Sequence, residues 1–526
     1  MIDNPLAAVK TWADENNASD LPIVVLPSGD VTITEAATKL FTLIGPTKQL
    51  FVRGGGVMQL VLRDDGLLAL EILSPDAARS AFEKYARLYI WRSGANGEPV
   101  LKPVTCSHDM AEALLQSREA SEILPRVSGL LNCPVIHAVK GELVVAGQGY
   151  DEATKLLITD GDDVPVIGLD EAVSQLLALF DEFDFQSEGD RARAVASLIT
   201  PALMTGNFLK RRVPVDVAEA NESQSGKTYR QKLIAALYNE RFSLITCRSG
   251  GVGSVDESLN QALIAGRPFI QFDNFRGKFD SAHLEAFMTA EKTFSCRAPY
   301  RGEIDVTPES FFIFMTSNGV DTTRDFANRS NIIRIKKKPP GFAYAKLEEG
   351  DLLDRVRCWQ PYYLGSVFAV IREWYRLGLQ KTDETRHNFT EWVQVVDWIC
   401  QNIFGLVPVM DGHQQAQERV SNPQLVWLRK VVLNINETGE LNRSLTATDL
   451  QRVCETAGIT IPGLRAEAEE DRAKKVIGSI MGKLFGNHDE LEVDGFTVMR
   501  AEKNVDRDNP IAGGSYKAKT YLVKIQ

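Results

Sequence analysis

Ser225-Gly226-Lys227-Thr228 closes a loop between two patterns of different period. Upstream, residues 213–217 form a short β-branched run. Downstream, Leu233, Ile234 and Leu237 recur at helical spacing. Strand, loop and helix in that order is the context in which a G-K-[ST] triplet binds phosphate. Successive backbone N–H groups and the helix N-terminus cradle an anion, and the lysine reaches the outer phosphates. The full pattern G-x-x-x-x-G-K-[ST] places Asn221 where the first glycine stands. Asn tolerates positive φ better than most residues, so the turn remains feasible. The candidate nucleotide contacts are Asn221, Ser225, Gly226, Lys227, Thr228 and the adjoining Tyr229.

A second buried-strand pattern, residues 269–274 (FIQFDN), carries an acid at its end. Asp273 emerging beside the Thr228 hydroxyl would hold Mg²⁺ through hard oxygen donors. Asn274 follows it directly. A third apolar run, residues 311–315, leads into Thr316-Ser317-Asn318, and an amide there suits the γ-phosphate and its attacking water. Further on, Arg329 offers charge to a transition state on a neighbouring subunit.

In order and spacing these residues resemble a superfamily 3 helicase-type AAA+ ATPase of phages, plasmids, satellite elements and small DNA viruses. The resemblance covers about residues 200–340. It implies that Lys227 and Thr228 are the Walker A pair, Asp273 the Walker B acid, Asn318 sensor 1 and Arg329 the arginine finger. One departure stands out: many such ATPases carry a second acid after the Walker B Asp, whereas this chain has Asn274. An amide cannot act as a base at neutral pH. Phosphoryl transfer rests mostly on positioning and charge, so hydrolysis remains compatible with Asn274. Residues 50–56 (LFVRGGG), 124–136 and 147–157 resemble prophage helicase- or primase-associated proteins, which implies shared architecture more than shared chemistry.

The elements that must position these residues fit a chain of 526 residues, long enough for three or four domains. The expected fold class is multidomain α/β: an AAA+ type P-loop ATPase core with an α+β N-terminal region and a C-terminal winged helix. The expected divisions are residues 1–130 (α+β), 131–205 (a strand-rich and helical connector), 206–345 (ATPase core), 346–419 (helical lid) and 420–526 (winged helix). In the first, residues 23–26 and 58–62 read as strands and 75–89 as a helix. Residues 141–147 read as a strand, and 169–205 as helical. The acid-aromatic run 181–185 (DEFDF) reads as a solvated helix end or turn. Residues 367–377 and 392–403 read as helices of the lid.

Residues 293–306 read as a β-hairpin turning at Pro299-Tyr300-Arg301-Gly302. Arg297 and Arg301 suit phosphates and Tyr300 suits a stacked base. The family resemblance implies that such a hairpin lines the channel of a hexamer and grips single-stranded DNA. In the last division, residues 446–457 read as a helix with Thr446 and Asp449 at its cap. Residues 467–484 read as a second helix bearing Lys474 and Lys475. Two strands follow, 491–500 and 517–525. A helix and wing of this kind suits duplex DNA.

Charge sorts by region. Residues 1–200 carry 16 Lys+Arg against 29 Asp+Glu, a balance of −13; residues 201–345 come to +5 and 346–526 to −3. The acidic N-terminal part is therefore a poor DNA binder and a better protein contact, while the core is mildly basic. Hydrophobic content of 44% and charged content of 25% suit a globular protein, and no stretch approaches a membrane span. The N-terminus carries no secretory signal pattern. Seven scattered cysteines without C-x-x-C argue against a zinc site and suit a reducing cytoplasm. No acidic metal-binding cluster in the N-terminal part supports primase chemistry. The expected activity is ATP hydrolysis, with Mg²⁺, coupled to DNA translocation or unwinding by a ring-shaped homo-oligomer. The alternative is a nucleotide-switched DNA-binding assembly factor, such as a loader, transposition regulator or defence ATPase, that does not unwind.

Overall fold

A computed structural model of the protein describes residues 21–525, except 65, 67, 95–96, 221–224, 246–253, 280, 299–301, 340, 343, 345, 422, 465–469, 487–488, 494–495 and 507–514. The chain is a multidomain α/β protein and divides into two compact units. One holds Met1–Phe275, Ser281–Asn318 and Asn328–His413; the other holds Arg276–Asp280, Gly319–Ala327 and Gln414–Gln526. No helix among the described residues is long and apolar enough to cross a membrane.

The first unit begins with β1 (Ile23–Val25), β2 (Leu50–Arg53), β3 (Gly56–Leu62), β4 (Leu68–Ile72), β5 (Arg87–Ser93) and β6 (Pro99–Pro103). β2-β3-β4 is an antiparallel meander, while β1-β5-β6 forms a second sheet in which β1 and β5 run parallel. The helix Ile33–Ile44 starts at a capping box between Thr32 and Glu35. That cap contributes roughly 1 kcal/mol. Its Leu40, Phe41 and Ile44 bury against Phe82 and Leu88. The helix expected over 75–89 stops at Glu83, and Tyr89 lies in β5. Arg87 to Ser93 pairs with β1 on one side and β6 on the other, and that ladder wins over the helical pattern.

Next come β7 (Gly129–Leu131), β8 (Val135–Val139), β9 (Glu142–Ala146), β10 (Gly149–Asp151) and β11 (Leu156–Ile158), arranged as a hairpin β8-β9 and a sheet β10-β11-β7. The stretch expected to be helical over 169–205 is two helices, Leu169–Ala178 and Glu188–Thr205, with β12 (Asp184–Phe185) between them. The run 181–185 is thus not a solvated end. β12 pairs with a core strand, and Phe180, Phe183 and Phe185 lie in mutual ring contact at 6.0–6.2 Å. Three aromatics in six residues bury more apolar area than a solvated turn could leave exposed.

The core sheet contains β12, β13 (Val215–Glu219), β14 (Ser243–Ile245) and β15 (Phe269–Phe279). The hairpin β16 (Phe294–Ala298) and β17 (Gly302–Val306) intervenes before β18 (Phe312–Thr322) and β19 (Ser330–Lys336). The sheet order is β12-β19-β13-β18-β15-β14. β13 runs parallel to both neighbours and β14 parallel to β15, while β12 is antiparallel at the edge. Phe269, Phe312 and Phe314 meet edge-on or tilted within the sheet's core at 4.5–6.1 Å, and Phe242 meets Phe314 edge-on at 5.0 Å. Such pairs add about 0.5–1.5 kcal/mol each beyond area burial. Neither β15 nor β18 ends where expected. β15 continues past Asp273 to Phe279, and β18 past Asn318 to Thr322. The alternation Phe275, Gly277, Phe279 against Asn274, Arg276, Lys278 is a strand period, and it carries β15 on.

The helices Leu352–Cys358, Gln360–Arg376 and Thr390–Asn402 complete the first unit. Gln360 Nε2 donates to the Leu237 carbonyl at 2.7 Å and so closes an orphan carbonyl at the end of the helix Lys227–Leu237. In the second unit, the helices Pro423–Glu437, Ala447–Ala457 and Glu470–Phe485 pack around Trp427, Val431, Ile477 and Phe485. They rest on a sheet of order β20-β23-β22-β21, with β20 (Ser444–Leu445), β21 (Glu490–Val493), β22 (Phe496–Asp506) and β23 (Ser515–Ile525). The single strand expected over 491–500 is instead a hairpin, β21 and β22. Thr446 and Asp449 form a reciprocal capping box.

Candidate functional site

β13 is central in the sheet, and the phosphate-loop candidate leaves its C-terminal end. Asn221 lies outside the described residues. Gly226 caps the helix Lys227–Leu237 with φ +89°, a left-handed conformation suited to glycine. A Cβ there would also stand 3.2 Å from Phe183 Cε1, so the ring of Phe183 lies directly over the glycine. Lys227 is only 7% exposed, and its Nζ donates to Ser225 Oγ at 3.4 Å. Thr228, one residue on, is half-buried in the helix's first turn. Tyr229 packs 6.3 Å from Phe183, and its hydroxyl accepts from the Leu353 N–H at 2.9 Å. Burial pushes the Tyr229 phenol up.

Beneath the loop lies a buried polar network. Arg230 Nη2 donates to Asp216 Oδ1 of β13, both side chains being fully buried. Gln231 Nε2 donates to the same oxygen at 2.8 Å and to the Met315 carbonyl of β18 at 3.1 Å. Gln271 of β15 in turn donates to Gln231 Oε1 at 2.7 Å. One helix is thereby bonded to three adjacent strands, which fixes its rotation and hence the aim of Lys227. These residues escaped motif reading. Asp216 between Val215 and Val217 in a buried strand was the available signal, because a fully buried carboxylate requires a cation partner nearby.

Asp273 is half-buried on β15, and Thr316 of β18 donates its hydroxyl to Asp273 Oδ1 at 2.7 Å. The pairing of Glu219 with Ser317 sets Asn318 one residue beyond the last residue of β13. Lys227 thus opens the helix that follows β13, while Asp273 and Asn318 lie within the two strands next along the sheet, near the level of the C-terminal edge of β13. The side chains of Asn274 and Asn318 lie outside the described part of the structure. Thr228 and Asp273 offer oxygen donors, which suit a hard cation such as Mg²⁺.

Arg329 is not brought to this edge. Its carbonyl accepts from the Val215 N–H at 3.1 Å, so it stands at the entry to β13, whereas Lys227 follows the exit. The five residues of β13 alone separate those ends by about 13 Å at 3.3 Å per residue.

Among the other predicted contacts, Arg297 is exposed on β16 directly opposite Glu303. Its charge is thus balanced across the ladder. Tyr300 and Arg301 lie outside the described residues. In the second unit, Lys475 is exposed and Lys474 half-buried on the helix Glu470–Phe485, whose Ala473, Ile477 and Met481 face the core.

No family model matches the chain, and no curated protein matches it. Solved structures do match. One described as "SCCmec type IV Cch - active helicase" is 10% identical, with 90% of this chain and 97% of that one covered and a TM-score of 0.30. A likeness of that size fixes neither fold nor activity.

Proposed function

We propose that the protein is an ATP-dependent DNA translocase or helicase of the AAA+ type that works as a ring-shaped oligomer. The observation that carries this reading is Lys227, buried at the start of a helix that leaves the central parallel strand, with Asp273 and Asn318 on the two strands beyond. Lys227 and the loop amides would hold the phosphates, with Thr228 and Asp273 holding Mg²⁺, which supplies charge neutralisation at the β- and γ-oxygens. Asn318 would meet the γ-phosphate. Phe183, lying over Gly226 beside Tyr229, would pack against the nucleotide in this reading. Arg329, at the far end of β13 from its own loop, would serve a neighbour's nucleotide, and turnover then requires assembly. The hairpin β16–β17 and the helix Glu470–Phe485 supply the DNA contacts in this reading. Asn274 favours a second reading: a nucleotide-switched DNA-binding assembly factor, which binds ATP and hydrolyses it slowly or not at all.

The test is ATPase rate with and without single-stranded DNA, beside sizing with a non-hydrolysable ATP analogue. DNA-stimulated turnover in a ring-sized assembly supports the motor. Assembly without turnover supports the switch. Lys227→Ala should weaken ATP binding at least about 100-fold by removing a charge-assisted phosphate contact. Wild-type ATPase activity in that variant would sink the site assignment. Arg329→Ala should abolish turnover and spare nucleotide binding.

A further inference from the structure

The LFVRGGG segment plays no part in the nucleotide site, yet two of its residues make the tightest contacts between the N-terminal meander and the core. Arg53, the last residue of β2, is 5% exposed. Its Nη1 donates to the carbonyls of Leu263 and Ile264 at 2.9 and 2.6 Å, and its Nε to the Ser128 carbonyl at 3.2 Å. Leu263 and Ile264 end the helix Val255–Ala265, so the guanidinium caps that helix's negative end. Its Cζ also lies 5.8 Å from the Phe311 ring. Burial lowers the guanidinium to about 10 and raises the neighbouring Cys296 thiol of β16 to about 12.

Gly54 follows with φ +56°. A Cβ at this position would stand 2.0 Å from the Asp305 carbonyl oxygen and 2.6 Å from the Asp305 nitrogen and Ile304 Cγ2. Only a glycine lets the β2–β3 turn come this close. The Asp305 N–H completes the seat by donating to the Gly54 carbonyl at 3.4 Å. Asp305 and Ile304 belong to β17, the returning strand of the core hairpin.

We propose that Arg53 and Gly54 are positioning residues for the hairpin β16–β17: the N-terminal meander clamps the base of β17, so the hairpin's grip on DNA depends on a region that itself needs no DNA contact. This rests on the reading of the hairpin as a DNA element. It gives the acidic N-terminal part a role that its charge allows, as a holder of the DNA element.

Hydrogen exchange and DNA binding on the full chain test the proposal. In Gly54→Ala, the β16–β17 amides should exchange at least tenfold faster while those of the helix Lys227–Leu237 stay at the wild-type rate. Single-stranded DNA affinity should fall about tenfold with ATP-analogue affinity unchanged. Arg53→Lys keeps the charge but loses the fork that spans three carbonyls, and it should show the same pattern more weakly should Gly54→Ala fail to fold. Unchanged hairpin exchange in whichever variant folds, or acceleration spread equally over the chain, overturns the clamp. Arg297→Ala combined with Tyr300→Ala and Arg301→Ala separates the two ideas. If DNA affinity survives that change, the hairpin is not the DNA element, and hairpin exchange alone then decides whether Arg53 and Gly54 position it.

Discussion

Arg230 and Arg53 are both buried guanidiniums, and the fold satisfies them in opposite ways. Arg230 faces a carboxylate, Asp216, within a network that also ties Gln231 and Gln271 to the sheet. Arg53 faces backbone carbonyls only, at the end of one helix and in one loop. A buried ion pair gains its full strength only in one geometry, and removing one partner strands a charge. Carbonyl contacts are weaker individually, and no opposing charge is left behind when they part. The paired arginine thus holds the helix that must not move, beneath Lys227. The carbonyl-bound arginine joins β2 to the end of the helix Val255–Ala265 and to the loop at Ser128.

The largest effect should therefore come from breaking the charge pair. Asp216→Ala leaves Arg230 buried and unpaired, a loss of about 3–5 kcal/mol. The urea midpoint should fall accordingly, and ATP binding should weaken with it because the helix bearing Lys227 loses its anchor on β13. A midpoint within experimental error of wild type would mean that Arg230 finds water instead, and that the network does not set the helix.

Arg53→Met sharpens the comparison. It retains much of the apolar stem and strands only carbonyls, so the expected loss is about 1–3 kcal/mol. ATP-analogue affinity should hold. If Arg53→Met costs as much as Asp216→Ala, the carbonyl-bound arginine is a core element after all, and the contrast fails.

The two arginines also differ in how far the sequence foretold them. The strand, loop and helix around Lys227 were legible, because GKT between a β-branched run and a helical pattern is a local signal. The core's α/β alternation was legible for the same reason. Arg230 was not, although Asp216 inside a buried strand called for a cation. Arg53 could not be found at all, since its partners at Ser128, Leu263 and Ile264 are 75 to 211 residues away and are backbone atoms without a side-chain signature. Strand ends were misplaced where polar residues enter. Asp273 and Asn318 look like terminators, yet β15 and β18 continue through them on alternating patterns. The DEFDF run was misjudged because its acids suggested solvent, while its phenylalanines found one another and Tyr229.

A pair of buried neutral imidazoles gives the smallest expected effect. His387 and His413 are buried with ring centroids 5.5 Å apart, and each holds the β19 backbone: His413 Nε2 accepts from the Ile332 N–H at 3.2 Å, and His387 Nε2 lies 3.3 Å from the Ser330 carbonyl. Burial lowers His387 to about 4 and holds His413 well below its ordinary value, with Arg193 next among the causes for His413. An unfolded imidazole titrates near 6.5. The native state therefore binds fewer protons below that value, and stability present above about pH 6.5 is lost as pH falls toward 4. At pH 6 the loss from His387 should be about 0.8 kcal/mol. His387→Phe keeps ring contact with Trp392 while removing one titration. Burial raises Glu240 to about 8, which opposes the histidines over the same range. The slope of stability against pH between 7.5 and 5.5 should therefore change from wild type in that variant by the share of His387 alone, about 1.4 kcal/mol over that range. An unchanged slope would place the acid sensitivity elsewhere and leave the arginines as the buried cations that decide stability.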